Sequence, residues 1–169
     1  MIVIGGAEQP RLALCRAFGA EATICIDELA GARDRTAAVR DVVGGFGADL
    51  VIDCAGHPSA GPEGIEMLRD GGTYIEMGQF TDAGSVETNW HRICSKDIRI
   101  IGSWAFTADD IPKGIAMLHR TRERYPWYEM QTIFPFAEEG ITEAIAAAME
   151  MRSVKSTIVV APELVEGDA

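Results

Sequence analysis

The stretch Asp49-Leu50-Val51-Ile52-Asp53-Cys54-Ala55-Gly56 decides the fold of this 169-residue chain. Its centre is a continuous apolar run, and a glycine follows at its carboxyl end. Runs of this kind are typical of parallel strands that are buried on both faces. A glycine at that place lets a ligand approach the backbone closely, because it has no side chain. We therefore predict a buried parallel strand over 49–53 that leads into a binding edge.

Strand and helix patterns alternate through the rest of the chain, with short connections rich in glycine and aspartate. Further strands are predicted at 2–4, 22–26, 73–77, 98–103, 130–135 and 157–160. Helices are predicted at 8–18, 32–43, 62–69, 109–124 and 137–151, with a helical patch near 90–94 and a tight turn at 70–72. The alternation indicates an α/β protein with a doubly wound parallel sheet.

Three of the predicted strands are followed by glycines, Gly5, Gly56 and Gly78. In open parallel sheets, ligands bind beyond the carboxyl ends of the strands. The alternative is that each glycine only makes a tight turn. Three glycines in equivalent positions favour a ligand-binding edge over three separate turns.

The composition of the chain argues against two classes of binding partner, nucleic acids and membranes. The formal net charge is −11 and the sequence pI is about 4.6. An acidic surface repels phosphate backbones, so we expect no nucleic-acid partner. No apolar run is long enough to cross a bilayer, so we expect no membrane partner either.

The cysteines and histidines carry no predicted chemistry. No C-x-x-C pair occurs, and no histidine lies at metal-ligand spacing from a cysteine. Three cysteines lie within apolar patterns and are predicted to be buried in a reducing cytoplasm: Cys15, Cys25 and Cys54. No catalytic role is predicted for the three histidines, His57, His91 and His119.

Four segments together resemble the zinc-dependent alcohol dehydrogenases of the medium-chain dehydrogenase/reductase family. The segments are, in chain order, DLVIDCAG, LRDGGTYIEMGQF, SKDIRIIGSW and IFPFAEEGITEAIAAAMEMRSVKSTIVV. The resemblance extends from Ile2 to about Pro162. It implies a dinucleotide-binding domain with strand order 3-2-1-4-5-6, in which 2–4 is strand two. The segments 22–26, 49–53, 73–77 and 98–103 are then strands three to six.

The family's first strand and its G-x-G-x-x-G loop have no counterpart in this sequence. We therefore expect the chain to be the C-terminal part of a larger enzyme. The expected division is 1–106 for a partial coenzyme domain, 107–162 for the return into a catalytic domain and 163–169 for an acidic tail. Without a central strand, two inner edges are exposed. Strand two then either closes onto strand four or pairs with another chain.

The resemblance implies that the chain binds a nicotinamide dinucleotide, NAD or NADP. Gly6 stands where an acidic residue would select NAD, and Arg11 stands where the family often has a basic residue near the same ribose. Glycine tolerates a 2′-phosphate, so both coenzymes stay open. For Arg11, a solvated position on a helix face is an equal alternative.

Further coenzyme contacts are implied by position. Ala55 and Gly56 match the ribose and pyrophosphate side, whereas Lys155 matches a cation that reaches the pyrophosphate. The backbone segment Met77-Gly78-Gln79 matches one side of the nicotinamide carboxamide, and Ser103 matches another. The alternative for Lys155 is an exposed connection between a helix and a strand.

The resemblance also implies the reaction, which is hydride transfer between a small alcohol or carbonyl compound and the coenzyme. The zinc ligands of the family have no counterpart here, so we expect neither catalytic nor metal-binding residues in this chain. A cytoplasmic homo-oligomer is expected, joined through strand six or through the inner edges. Two alternatives stay open: a zinc-free relative of the quinone reductases, and a non-catalytic α/β assembly module.

Overall fold

The computed structural model describes residues 1–6 and 8–161, with only the backbone at 8 and 9. The predicted acidic tail at 163–169 lies outside these residues. Seven strands occur in this part of the chain: β1 (Ile2–Gly5), β2 (Ala22–Cys25), β3 (Ala48–Asp53), β4 (Leu68–Glu76), β5 (Arg99–Gly102), β6 (Gln131–Pro135) and β7 (Lys155–Val159). Every predicted strand is thus confirmed, with ends that differ by a few residues.

The helices follow the predicted alternation. They are α1 (Ala13–Ala17), α2 (Ala32–Val42), α3 (Ala60–Met67), α4 (Trp90–Ser95), α5 (Asp110–Thr121) and α6 (Glu138–Met149). The first predicted helix differs, because a π-helical turn over Glu8–Leu12 precedes the short α1. A 3-10 turn covers Trp127–Met130. Within the described residues, no helix is long and apolar enough to cross a membrane.

The strands form three sheets in the described part of the chain. β1 pairs with β2, β3–β4–β5 form a three-stranded sheet, and β6 pairs with β7. The ladders β3–β4, β4–β5 and β6–β7 are parallel. No ladder joins β1 to β3 among these residues, so the predicted closure of strand two onto strand four is absent. Pairing of the inner edges with another chain stays a prediction.

The chain divides into two compact units. Residues 26–112, together with Ile2, form the unit that we call the central unit. Met1 and the described residues 3–6, 8–25 and 113–161 form the terminal unit. The predicted boundary between residues 106 and 107 stays a prediction about the domains of the family.

In the central unit, the core lies between α3 and the sheet. Ile65, Leu68 and Tyr74 are buried together, and partly buried apolar side chains pack around them. The ring of Tyr74 is seated against Gly64, where an added Cβ would lie 2.6 Å from the ring atom Cε2. Any residue with a side chain at position 64 would therefore displace the Tyr74 ring.

The expectation that β3 is buried on both faces is wrong for this chain. Val51 and Asp53 face the covered side, but Leu50 and Ile52 are 48% and 52% exposed. Ile100 and Ile101 of β5 are exposed as well. Side chains alternate between the two faces of a strand. In β3 one face is covered and the other is exposed, although both carry apolar residues.

The predicted tight turn at 70–72 is a bulge inside β4. Ala48 faces Leu68, whereas Leu50 faces Thr73, so five steps along β4 match two along β3. Gly71 has a φ of +71°, which glycine adopts without strain. Its amide donates a hydrogen bond to the Lys96 carbonyl at 2.7 Å. The bulge therefore ties the start of β4 to the end of α4.

In the terminal unit, β6, α6 and β7 form a second β–α–β element. Phe134, Ala144 and Ala147 are its buried core. Gly140 lies so close to β6 that an added Cβ would overlap the Pro135 carbonyl oxygen. Small residues thus let α6 approach the strand pair closely.

Candidate functional site

The carboxyl ends of β3, β4 and β5 meet at one edge of the central sheet. The parallel register pairs Asp53 with Glu76 and Glu76 with Gly102. The first loop residues after these strands are therefore neighbours. Six of the predicted coenzyme residues lie on these loops: Ala55, Gly56, Met77, Gly78, Gln79 and Ser103.

Two of the loops touch through glycine backbone. Gly56 has a φ of +68°, and an added Cβ there would lie 2.8 Å from the Gly78 carbonyl oxygen. An added Cβ at Gly78 would lie 2.6 Å from the Gly56 nitrogen and 2.8 Å from the Ala55 nitrogen. Both glycines are therefore needed for the loops to meet, which goes beyond the alternative that each makes only a tight turn.

A cleft of about 220 Å³ opens at this edge, beside β4 and β5. Its lining includes Met77, Gln79, Ser103 and Trp104. A larger cleft of about 540 Å³ shares Glu76, Gln79 and Trp104 with it and extends toward α3 and α4. The Trp104 ring stacks on Phe80, with ring centroids 4.9 Å apart. The edge therefore offers a partly aromatic recess of ligand size.

Four backbone amides after β4 and β5 are already used inside the protein. Met77 donates to the Asp53 carbonyl at 3.2 Å, and Ser103 donates to the Glu76 carbonyl at 2.8 Å. Gly78 and Gln79 both donate to the Glu76 carboxylate, at 2.9 and 3.0 Å. What this edge offers to a ligand is therefore its carbonyl oxygens, since each carbonyl can accept two hydrogen bonds.

Three side chains that sequence reasoning missed organise this edge. The Tyr74 hydroxyl lies 2.7 Å from Asp53 Oδ2 and 3.2 Å from Glu76 Oε2. Asp53 also accepts from the Ala55 amide at 2.8 Å. Burial, followed by the hydrogen bond to Asp53, raises the pKa of the Tyr74 phenol far above its usual value. The sequence signal that could have identified Asp53 and Glu76 is that each acidic residue ends an apolar strand.

Cys54 is exposed at this edge, so the prediction that it is buried is wrong. The residue follows the last position of β3, where the chain leaves the sheet. Partial burial and the nearby carboxylates of Asp53 and Glu76 raise the pKa of its thiol. Cys25 is buried as predicted, and Cys15 is half-buried.

Gly6, Arg11 and Lys155 belong to the terminal unit. The Arg11 guanidinium donates from Nη2 to the Ser153 carbonyl at 3.2 Å. Its Nε is buried and has no hydrogen-bond partner among the described residues. Lys155 is the exposed first residue of β7, within the strand rather than in a connection.

Among the residues that the structure describes, no three His, Cys, Asp or Glu side chains are grouped so that they could hold a metal ion. These residues therefore do not fit a zinc site. The central unit by itself fits the nicotinamide end of a dinucleotide, because its strand ends provide a recess with free carbonyl acceptors.

Comparison with known proteins gives one consistent result. The family model described as zinc-binding dehydrogenase matches residues 1–120. An erythritol/L-threitol dehydrogenase of Mycolicibacterium smegmatis is 36% identical over 94 residues, which are 55% of this chain and 24% of that protein. A sorbitol dehydrogenase of Halalkalibacterium halodurans is 28% identical over 115 residues, or 68% of this chain and 32% of that protein.

Solved structures agree on the fold. An alcohol dehydrogenase from Thermotoga maritima superposes with a TM-score of 0.78 at 24% identity, covering 93% of this chain and 42% of that one. A benzyl alcohol dehydrogenase from Acinetobacter calcoaceticus gives 0.79 at 17% identity, with 95% and 42% covered. The chain thus spans less than half the length of each of these proteins.

Proposed function

The chain belongs to the zinc-binding dehydrogenase family, and from that premise we propose that it is the coenzyme-binding part of an NAD(P)-dependent alcohol dehydrogenase. The observation that carries the proposal is the meeting of three parallel strand ends at one recess. Open parallel sheets bind their ligands at such an edge. The whole enzyme would transfer hydride between an alcohol, or its carbonyl product, and the coenzyme.

In this proposal, the central unit holds the nicotinamide end. The coenzyme supplies the ring carbon that accepts or donates the hydride. Carbonyl oxygens of the Met77–Gln79 segment and of Ser103 accept hydrogen bonds from the carboxamide. Gly56 and Gly78 let the two loops meet, with Ala55 beside them, because any Cβ there would strike the backbone of the facing loop.

The terminal unit carries the proposed adenosine-side contacts. Lys155 neutralises pyrophosphate charge, for which an exposed ammonium group is suited. Gly6 adds no acidic group near the adenosine ribose, so a 2′-phosphate is tolerated. Arg11 is proposed to lie near the same ribose, where its guanidinium charge favours a phosphate. Both NADH and NADPH therefore stay open as the coenzyme.

The test is a titration of the chain with NADH and with NADPH, followed by energy transfer from Trp90 or Trp104. Lys155→Ala should weaken both coenzymes by about tenfold, since one ionic contact to phosphate is lost. Arg11→Ala should weaken NADPH more than NADH. Arg33→Ala, a change at an exposed residue of α2, is the control. No binding of either coenzyme would contradict the proposal and favour a non-catalytic assembly module.

The zinc ion is proposed to be held by another part of the larger enzyme and not by this chain. The described residues lack a suitable donor group, so this chain should take up far less than one zinc per molecule. Metal analysis after equilibration with zinc measures this directly. One tightly bound zinc per chain would contradict the assignment.

Assembly and location complete the proposal. We propose a cytoplasmic homo-oligomer, supported by the exposed Ile100 and Ile101 on β5 and by the unpaired inner edge of β3 in the described sheet. Sedimentation analysis of the chain tests the association. Ile101→Lys should shift the population toward monomer if β5 is the contact, whereas Leu50→Lys should do so if the β3 edge is used.

A further inference from the structure

Tyr74 stands between two acidic side chains that the sheet register forces together. Asp53 and Glu76 are directly paired on adjacent parallel strands, where like charges destabilise a sheet. Tyr74 precedes Glu76 by two residues, so both side chains lie on the same face of β4. Its hydroxyl reaches Asp53 at 2.7 Å and Glu76 at 3.2 Å. The phenol has a single hydrogen, which it donates mainly to Asp53 at the shorter distance and shares with Glu76 at the longer one. One hydroxyl therefore bridges both carboxyl groups through a three-centre hydrogen bond.

Each carboxyl group in turn holds one loop of the candidate site. Asp53 Oδ1 accepts from the Ala55 amide at 2.8 Å. Glu76 Oε1 accepts from the amides of Gly78 and Gln79, at 2.9 and 3.0 Å. The oxygens that face the loops are thus different from the oxygens that face Tyr74. The bridge connects the two loops through side chains, in addition to the glycine contact.

The surrounding fold fixes the tyrosine in this place. Tyr74 is only 3% exposed and belongs to the main core cluster of the central unit. Gly64 of α3 leaves room for its ring, and a Cβ at Gly61 would lie 3.8 Å from its hydroxyl. Since the ring cannot move without opening the core, the hydroxyl is held at the two carboxyl groups.

We infer that Tyr74 is a positioning residue for coenzyme binding, which acts through Asp53 and Glu76 on the loops 54–56 and 77–79. The inference rests on the proposed function, because loop 77–79 carries proposed nicotinamide contacts and loop 54–56 carries proposed ribose and pyrophosphate contacts. Tyr74 does not touch the coenzyme itself. It keeps two acidic groups from separating, and these groups keep the loop carbonyls aimed at the ligand.

The variant Tyr74→Phe keeps the ring and removes the bridge. Amide exchange at Ala55, Gly78 and Gln79 should accelerate by about tenfold, the factor for losing a hydrogen bond to a charged group. Exchange in α2 should stay unchanged. The dissociation constant for NADH should rise by about tenfold for the same reason. The matched control is Tyr128→Phe, because Tyr128 is 90% exposed.

A pair of variants at Glu76 separates positioning from general stability. Glu76→Gln keeps an acceptor for the loop amides and can donate to the Tyr74 oxygen, so loop exchange and NADH affinity should stay near the wild-type values. Glu76→Ala should reproduce the effect of Tyr74→Phe at Gly78 and Gln79. If the negative charge of Glu76 alone held the loop, Glu76→Gln would show the same faster exchange as Glu76→Ala.

The outcomes distinguish the two proposals. Unchanged loop exchange in Tyr74→Phe overturns the bridge, whether or not coenzyme binds. Faster exchange with unchanged NADH affinity overturns its role in coenzyme binding. A wild-type chain that binds neither NADH nor NADPH overturns the proposed function and, with it, the positioning role.

Discussion

The chain builds the same motif twice, and the two copies differ in what ends their strands. The element β3–α3–β4 ends its strands in Asp53 and Glu76, which organise loops. The element β6–α6–β7 ends its strands in Pro135 and Val159. Both are parallel strand pairs connected by a helix, so both satisfy the same fold rule. The comparison teaches that the motif supplies the fold, whereas the residues at the strand ends supply a site.

The two copies also reach close packing by different means. The first buries Ile65, Leu68 and Tyr74, which are large side chains, under α3. The second buries Phe134 against the alanines of α6 and adds a hydrogen bond from the Ser156 hydroxyl to the Ala144 carbonyl at 2.9 Å. A core of large side chains should lose more when a residue is truncated, because a larger cavity remains.

The largest expected effect is at the centre of the first element. Leu68 is completely buried, so Leu68→Ala should lower the free energy of unfolding by about 3 kcal/mol through lost burial and a cavity. The measurement is urea unfolding followed by circular dichroism. Leu50→Ala, at a site 48% exposed, should cost less than about 1 kcal/mol. An equal loss of unfolding free energy in Leu68→Ala and Leu50→Ala would contradict the larger role of the buried core.

The next effect is at the contact between the two loops. Gly78→Ala places a Cβ within 2.9 Å of three backbone atoms of residues 54–56. We expect a loss of about 2 kcal/mol in the free energy of unfolding, as for overpacked sites, together with loss of NADH binding. Gly114→Ala in α5 has no neighbour within 4 Å and serves as the control. Normal NADH affinity in Gly78→Ala would show that the loop contact is dispensable.

A smaller effect is expected at the matching glycine of the second element. Gly140→Ala also meets backbone, at the Pro135 carbonyl oxygen, but alanine favours a helix over glycine by about 1 kcal/mol, which offsets part of the clash. The net loss should be about 1 kcal/mol. Amide exchange at Gly78 and Gln79 should not change. A change in this exchange would show that the two β–α–β elements are coupled.

The smallest effect concerns pH. The hydrogen bonds from Arg92, at 2.6 and 2.7 Å, hold the pKa of Glu66 below its usual 4.5. A carboxyl group with a depressed folded pKa stabilises the protein above the unfolded value and loses this contribution as the pH falls through the folded value. The wild type should therefore lose stability below about pH 4.5, and Arg92→Met should lose less over that range.

Both partners of that pair are about 40% exposed, so the difference should be a few tenths of a kcal/mol. Unfolding in urea at pH 3.5 and at pH 7 measures it. Arg152→Met in the terminal unit is the matched control, since Arg152 pairs with Glu143 and Glu150 near the surface. An identical pH response in wild type and Arg92→Met would rule out a contribution from this pair.

The order of the elements could be predicted because the apolar runs and glycine punctuation are local signals. The stretch 49–53 formed the expected strand, and its parallel pairing with 73–77 followed from the alternation. The exposure of Leu50, Ile52 and Cys54 could not be predicted, because burial depends on which other elements cover a face. Local patterns carry no information on that cover.

The site was predictable only in part for a related reason. The six loop residues lie at one sheet edge, since strand ends in a parallel sheet share that edge, and their contacts with a coenzyme stay a prediction. The bridge of Tyr74, Asp53 and Glu76 depends on register, which pairs residues 23 positions apart in sequence and is not fixed by either strand alone. The partner of Arg11, the Ser153 carbonyl, is likewise distant along the chain.

The contact between Gly56 and Gly78 has a consequence for how this sequence can vary. A side chain added at position 78 would meet the main chain of residues 54–56, and no exchange of side chains can remove a main-chain atom. Position 56 is therefore unable to compensate for a change at position 78, and the reverse also holds. In a library that randomises both positions, the functional survivors should carry glycine at both sites, with no compensating pairs. Neither loop can therefore change by single substitutions at these positions, even though nineteen other amino acids exist for each site.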